Sequence, residues 1–283
     1  MTIKRLDRLL TIYFFNYSAR LRLPNKELPI LMYHSISCKD QDHGHPYFKT
    51  NTVPSIFLKH MSYLNRNNYR IISINEALKI MHSGKPLQNK YAVITFDDGY
   101  QDILTTALPI LKEFNFTATV YLPTQYISKE GQFFNDNRCL NWQEVIELQS
   151  SNIGIGSHTV THPQLTSLTQ QEVEIELTHS KAVIEDKIGK PCDSFSYPYA
   201  FPEENRQFVE LLRQMLLKSG YNSSVSTIVG TMGENADPFF IKRIPVNSND
   251  DEQFFKAKLE GAYNWIHMPQ VLLKYAKNLV RPL

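Results

Sequence analysis

Cysteine is scarce in this chain of 283 residues. The three present, Cys38, Cys139 and Cys192, form an odd set at no spacing suited to a metal. That argues against a disulfide framework and fits ordinary thiols in a reducing compartment. Neither sign of charge dominates: 30 Lys and Arg stand against 28 Asp and Glu, a net charge of +2. With no basic stripe either, nothing points to a nucleic-acid partner. No apolar run is long enough to span a bilayer. The run at residues 9–15 follows Lys4, Arg5 and Arg8, but it is short, lacks a small-residue cleavage site and is followed by Asn16, Tyr17, Arg20 and Arg22. We read 1–28 as an N-terminal flanking helix whose apolar face packs on the domain, in preference to resting on a membrane. A clear signal peptide is missing, which favours a cytoplasmic or peripheral-membrane location over an extracytoplasmic one. Repeats and low-complexity stretches are absent as well.

What is present is an alternation. Short β-rich runs at 30–33, 91–96, 117–122, 153–156, 194–198, 221–226 and 240–246 are mostly separated by segments of helical period. Ser73 with Glu76, Asn141 with Glu144, and Thr169 with Glu172 each place a capping residue three positions before a Glu. Gly84, Gly189 and Gly220 fall where helices end. Val173, Leu177, Ser180, Ile184 and Ile188 trace one face of a helix. Strands alternating with helices imply parallel β-structure with crossover helices, and about seven such units suggest an α/β barrel or barrel-like sheet. In such folds the loops after the strands build the site, here above all 37–52 and 129–138.

The run YAVITF at 91–96 ends in Asp97 and Asp98, then Gly99. Two adjacent carboxylates repel unless something offsets them. They either face solvent or cap a helix, or a cation compensates them, one carboxylate ligating it and the other acting as a base on its water. The segment IGIGSHTVTH supplies His158 and His162, four residues apart after another short strand. On a helical turn these would face the same way and share one ion. An aspartate with two histidines is a common open metal site, so the two clusters together favour the cation. PILMYH ends a third strand at His34, a general acid if it lies beside that metal. SFSYPYA brings Tyr197, Pro198 and Tyr199 to another strand end, where backbone N–H groups could meet an oxyanion, although an ordinary proline-bearing strand end is the simpler reading. Tyr100, Phe133, Phe134 and Trp142 lie near these loops, and about one in three of such aromatics would touch a sugar ring.

In this order, TFDDGY, SHTVTH and SYPYA resemble the three motifs of the polysaccharide deacetylase (NodB-homology, carbohydrate esterase 4) family. LMYHSI and PFFIKRIPV resemble its branch of poly-β-1,6-N-acetylglucosamine deacetylases. The resemblance covers roughly 29–262, with 263–283 left as a basic, amphipathic helical tail. It implies a distorted (β/α) barrel of about seven parallel strands and hydrolysis of N-acetyl groups from an N-acetylated glycan. It also implies a divalent metal, zinc first, with nickel or cobalt as alternatives. By position it makes Asp98, His158 and His162 the ligands, Asp97 the base and His34 the acid. Tyr199 would offer its backbone N–H to the oxyanion, and Pro198 and Tyr100 would join the substrate surface. Many members carry an Arg where this chain has Ser196, so Arg243 is the replacement expected to orient Asp97. Many also have a late Leu-x-His; here His267 sits in NWIHMPQ, which strengthens the claim of His34. Ala200 stands where Gly is common. Two other readings remain open: a deacetylase of lipid-linked or nucleotide-linked sugars, and a non-catalytic carbohydrate binder. Contact with a membrane through either terminal helix is a further expectation.

Overall fold

Apolar residues on both faces mark strands that are covered on both sides, and these strands close on themselves. The computed structural model describes residues 5–16, 27–39 and 46–280. Its main sheet contains β1 (Ile30–Tyr33), β2 (Tyr69–Ile71), β3 (Lys90–Phe96), β4 (Thr119–Leu122), β5 (Gly154–Ser157), β6 (Ser194–Ser196), β7 (Ser223–Val229) and β8 (Ile241–Pro245). The order runs β1-β8-β7-β6-β5-β4-β3, and β3 pairs back onto β1 with Leu31 opposite Ile94. Seven parallel strands therefore form a closed barrel, with helices outside it. β2 is an extra edge strand on β3. The sequence does not announce it, because three residues, half-buried Tyr69 and Ile71 around exposed Arg70, are too few to show a repeat. The long loop 129–138 also holds a small hairpin, Phe133–Phe134 against Asn137–Arg138.

The helices in chain order are α1 (Leu6–Leu10), α2 (Pro54–Arg66), α3 (Ile74–Met81), α4 (Leu108–Glu113), α5 (Trp142–Ser150), α6 (Gln170–Ile188), α7 (Arg206–Lys218), α8 (Glu252–Leu259) and α9 (His267–Val280). Ser73 caps α3 by accepting from the Glu76 N–H, and Asn141 and Thr169 form reciprocal capping boxes with Glu144 and Glu172. Such caps satisfy amide groups that a helix start leaves without partners. Gly189 ends α6 in the left-handed conformation, at φ +65°.

Strand alternation sorts the core into two layers. Leu31, Tyr33, Ile94, Phe96, Val120, Leu122 and Phe195 belong to the larger cluster, together with residues of the surrounding helices. Ile30, Val93, Tyr121, Val225 and Ile241 form a second cluster, which α3 joins through Ile74, Ala77 and Met81. In this second layer Tyr121 is fully buried and shares a hydrogen bond of 2.9 Å with Ser194 Oγ. Its ring lies against Gly156, where an added Cβ would sit 2.5 Å from two ring carbons and 2.9 Å from the Ser194 carbonyl oxygen. Gly156→Ala is therefore expected to cost about 1–3 kcal/mol of stability, the range for overpacking. A fall in melting temperature by calorimetry checks it.

Both terminal segments are tied to the barrel at one end. Asp7 accepts from the Tyr263 hydroxyl at 2.9 Å, and Thr11 Oγ1 accepts from Trp265 Nε1 at 2.9 Å. Arg5 lies 3.5 Å from Asp250, which also forms a buried pair with Lys258 at 2.7 Å. Ile12 packs with Val229, Phe254 and Tyr263. Arg20, Arg22 and residues 40–45 of the first loop lie outside the described residues.

Candidate metal centre and active site

Asp97 follows Val93 and Thr95 on the same strand face, so alternation turns it into the barrel. There it meets Arg243, which is fully buried. Arg243 Nη1 and Nη2 donate to the two Asp97 carboxylate oxygens at 2.8 and 2.7 Å. The remaining donors of this guanidinium are also occupied: Nε by the Ser226 carbonyl at 3.0 Å, Nη1 by Thr95 Oγ1 at 3.2 Å and Nη2 by Ser196 Oγ at 3.0 Å. Ser196 in turn donates to Asp97 at 3.2 Å. Burial pushes the Asp97 carboxyl up, but the Arg243 charge and, behind it, His158 outweigh that and hold it well below the usual carboxylate range.

Asp98 would point to the outer face if the strand continued. The strand stops at Phe96, and Asp98 has φ +70°, followed by Gly99 at φ +60°. This left-handed turn, and not strand alternation, brings the second carboxylate to the barrel mouth beside the first. The histidines meet by the same device. Residues 158–164 form no helix, so a helical turn does not align them. Instead Thr159 and His162 take φ of +70° and +57°. Thr159, His162 and Tyr199 are the three described residues with positive φ that are neither Gly, Asn nor Asp, and all three surround this site. Such conformations cost about 1–3 kcal/mol each, so neighbouring structure must enforce them.

Glu176 is the main enforcer. It lies buried on α6, and its carboxylate accepts from Val160 N at 2.6 Å, Thr161 N at 3.0 Å and Thr161 Oγ1 at 2.8 Å. The His162 N–H donates to Thr159 Oγ1 at 3.0 Å. Motif reading passes over Glu176, although a signal exists: a glutamate inside the buried stripe Val173–Leu177–Ser180 needs a partner. Glu176→Ala is expected to free the loop and weaken metal binding about 10–100-fold, the usual cost of losing a group that supports the ligands. Zinc titration against a competing chelator measures it. Asp102 plays a matching part beside His34. Its carboxylate accepts from Ser35 Oγ at 2.5 Å and Ile36 N at 3.0 Å, pinning the chain just past the imidazole.

His158 and His162 each turn Nε2 toward one Asp98 oxygen, at 3.6 and 3.5 Å, and one donor atom from each of the three residues lies within 4.8 Å of the others. The two separations are long for strong hydrogen bonds. They suit ligands sharing one ion, since bonds of roughly 2.1 Å in a tetrahedron give edges of about 3.4 Å. The tautomer also fits. His158 Nδ1 lies 2.7 Å from the Ser196 carbonyl, which can only accept, so Nδ1 carries the hydrogen and Nε2 keeps its lone pair. Burial and then the neighbouring His158 push the His162 pKa down to about 4, leaving it neutral at ordinary pH. Burial opposes charge on His158, but Asp97 and then Asp98 outweigh it and raise its pKa. Burial also opposes charge on Asp98, and contact with His158, then the charge of His34, bring its pKa down.

The cluster opens into a cavity of about 1090 Å³. His34, half-buried, lines it with Asp97, Asp98, Tyr100, His158, His162 and Tyr199. Tyr100 is buried beside Asp98 and Asn135, and Tyr199 is 55% exposed with its ring 4.8 Å from that of His162. Pro198, expected at the substrate surface, is not on it: it is buried behind the wall and shapes the bend. Arg243 does not line the cavity either; it lies beneath Asp97, in contact with both carboxylate oxygens. Of the four loop aromatics, Tyr100 lines the wall, Phe134 packs on His162 at 4.9 Å, Phe133 is 70% exposed, and Trp142 opens α5 away from the cavity.

A closed parallel barrel with these groups at the C-terminal ends of its strands has them where barrel enzymes carry their active sites. Comparison with known proteins sharpens that class. Residues 84–220 match the polysaccharide deacetylase family model, a span that includes Asp97, Asp98, His158, His162 and Ser196 but neither His34 nor Arg243. Over that span the chain is similar to polysaccharide deacetylases. It is 28% identical over 236 residues to YxkH of Bacillus subtilis, itself provisionally described as a polysaccharide deacetylase; the match covers 83% of this chain and 77% of YxkH. It is 29% identical over 145 residues to the poly-β-1,6-N-acetyl-D-glucosamine N-deacetylase of Escherichia coli K12, covering 48% of this chain but 21% of that protein. Among solved structures, the Streptococcus pyogenes deacetylase PplD superposes with a TM-score of 0.70 at 20% identity, covering 82% of this chain and 98% of its own. IcaB from Ammonifex degensii gives 0.67 at 18% identity, covering 83% and 97%. At these identities the structural matches speak for the fold.

Proposed function

We propose that the protein is a metal-dependent N-deacetylase acting on N-acetylated amino-sugar residues of a glycan, with residues 29–262 as the catalytic unit. The observation that carries this is one pair of adjacent carboxylates with two separate sets of partners. Asp98 faces Nε2 of two imidazoles, and Asp97 is held ionised by Arg243 at the edge of the same cavity. An Asp98 oxygen and Nε2 of His158 and His162 would hold the ion, with zinc the first choice. A divalent ion there supplies a more acidic water and polarises the amide carbonyl.

The rest falls to the chain. Asp97 accepts the proton that water gives up as it attacks the acetyl carbon. Arg243 and Ser196 fix the carboxylate geometry and keep it charged. The Tyr199 N–H donates toward the acyl oxygen as it gains charge. His34 gives a proton to the nitrogen as the C–N bond breaks, so one water and one acetamide become acetate and a free amine. The test is acetate release from N-acetylglucosamine oligosaccharides, lost on chelation and restored by zinc. Absence of release with the metal bound overturns the reading. His34→Ala is expected to lower kcat by about 10²–10⁴, the usual share of a general acid, at unchanged metal content. Unaltered turnover would remove His34 from that role.

A further inference from the structure

Among the described residues, fifteen large apolar side chains stand exposed, and nine of them lie on just two elements. One is α1 with its continuation Thr11–Phe15, the other is α9. Leu6, Tyr13 and Phe14 of the first and Met268, Leu272 and Leu273 of the second are 61–73% exposed. The first packs on the turn that leads into the second: the Phe15 and Trp265 rings stack at 4.8 Å, and Trp265, two residues before α9, donates to Thr11. Both border the cavity that holds the catalytic cluster, α1 through Leu6 and α9 through Pro269 and Leu273. Lys274 ties α9 to the motif-three loop through the Phe201 carbonyl at 2.7 Å and Glu203 at 3.0 Å. The exposed apolar surface is therefore continuous with the mouth of the site.

Charge follows the same division. Residues 1–22 hold five basic side chains and one acidic, and 267–283 hold three basic and none acidic. The remainder, 23–266, holds 22 basic and 27 acidic. Arg5, Arg8 and Lys274 are paired with Asp250, Asp251 and Glu203, so the positive excess of these two segments rests on Lys4, Arg20, Arg22, Lys277 and Arg281 of the sequence. Apolar side chains with basic neighbours on a short helix are the composition that lies in the interface of an anionic bilayer. No described helix is long and apolar enough to cross one.

We infer that α1 and α9 dock the protein on an anionic membrane surface with the active-site mouth facing the lipid, so that its substrate is a glycan tethered to that membrane. The substrate half rests on the deacetylase reading; the docking half does not.

The test uses the full chain with Tyr13→Ser, Phe14→Ser, Met268→Ser and Leu272→Ser combined. None of these four lines the cavity. Wild type is expected to sediment with vesicles of phosphatidylcholine and phosphatidylglycerol and much less with phosphatidylcholine alone. The variant should bind the mixed vesicles at least tenfold more weakly, with an unchanged melting temperature and unchanged acetate release from a soluble N-acetylglucosamine oligosaccharide. On vesicles doped with an N-acetylglucosaminyl lipid, wild type should outpace the variant at least tenfold. Wild type left in the supernatant, or equal binding by both proteins, overturns the docking. A dimer in light scattering that the substitutions dissolve, without vesicle binding, overturns it in favour of a second copy covering this face. Docking with equal rates on the doped vesicles overturns the substrate half. Docking without acetate release from any substrate condemns the deacetylase reading and leaves the docking standing.

Discussion

Asp97→Asn is expected to reduce kcat by about 10³ or more while metal content stays at the wild-type level. A general base contributes about 10²–10⁴, and no described group is placed to replace it, because Asp98 is occupied by the imidazoles. The amide keeps the shape of the carboxylate but cannot take a proton. It also leaves the Arg243 charge, which has no exposure at all, without its counter-ion. Breaking one partner of a buried pair costs about 3–5 kcal/mol, so the variant should also melt earlier. Asp97→Asn combined with Arg243→Met separates the two losses: stability should recover and turnover should not. Stoichiometric zinc by elemental analysis beside single-turnover acetate release makes the comparison. Near-normal turnover in Asp97→Asn would mean that another group takes the proton.

His158→Ala is expected to have the complementary effect, with metal affinity down at least ~100-fold and turnover lost with it. Changes that merely loosen the support of a ligand already cost 10–100-fold, and this one removes the proposed ligand best fixed by its surroundings. Its ring is buried, its Nδ1 hydrogen is taken by the Ser196 carbonyl, and its Nε2 lone pair has no other use. Added imidazole or excess zinc should restore part of the rate, which it cannot do for Asp97→Asn. Metal retained at full affinity would show that the ion sits elsewhere.

Much of this was open to reading from local pattern. Capping pairs mark three helix starts because an N-cap and its third residue are near neighbours in any chain. Strand ends carry Asp97, His34 and the His158 segment because alternation fixes which side of a strand a residue occupies. The edge strand Tyr69–Ile71 escaped because three residues give alternation nothing to repeat. The approach of His158 to His162 looked helical from its spacing, yet left-handed residues make it, and a spacing of four does not distinguish the two.

By itself the sequence determined the chemistry available: an adjacent carboxylate pair, two imidazoles four residues apart and a third at a strand end. Only the tertiary structure decided how that chemistry is divided. Arg243, 146 residues from Asp97, holds one carboxylate ionised, and Glu176, 15 and 16 residues from Thr161 and Val160, bends the histidine loop. Leu6 of α1 and Pro269 and Leu273 of α9, far apart in the chain, border the same cavity. Contacts between residues far apart in the chain arise from barrel closure, and no local periodicity encodes which strand end will face which.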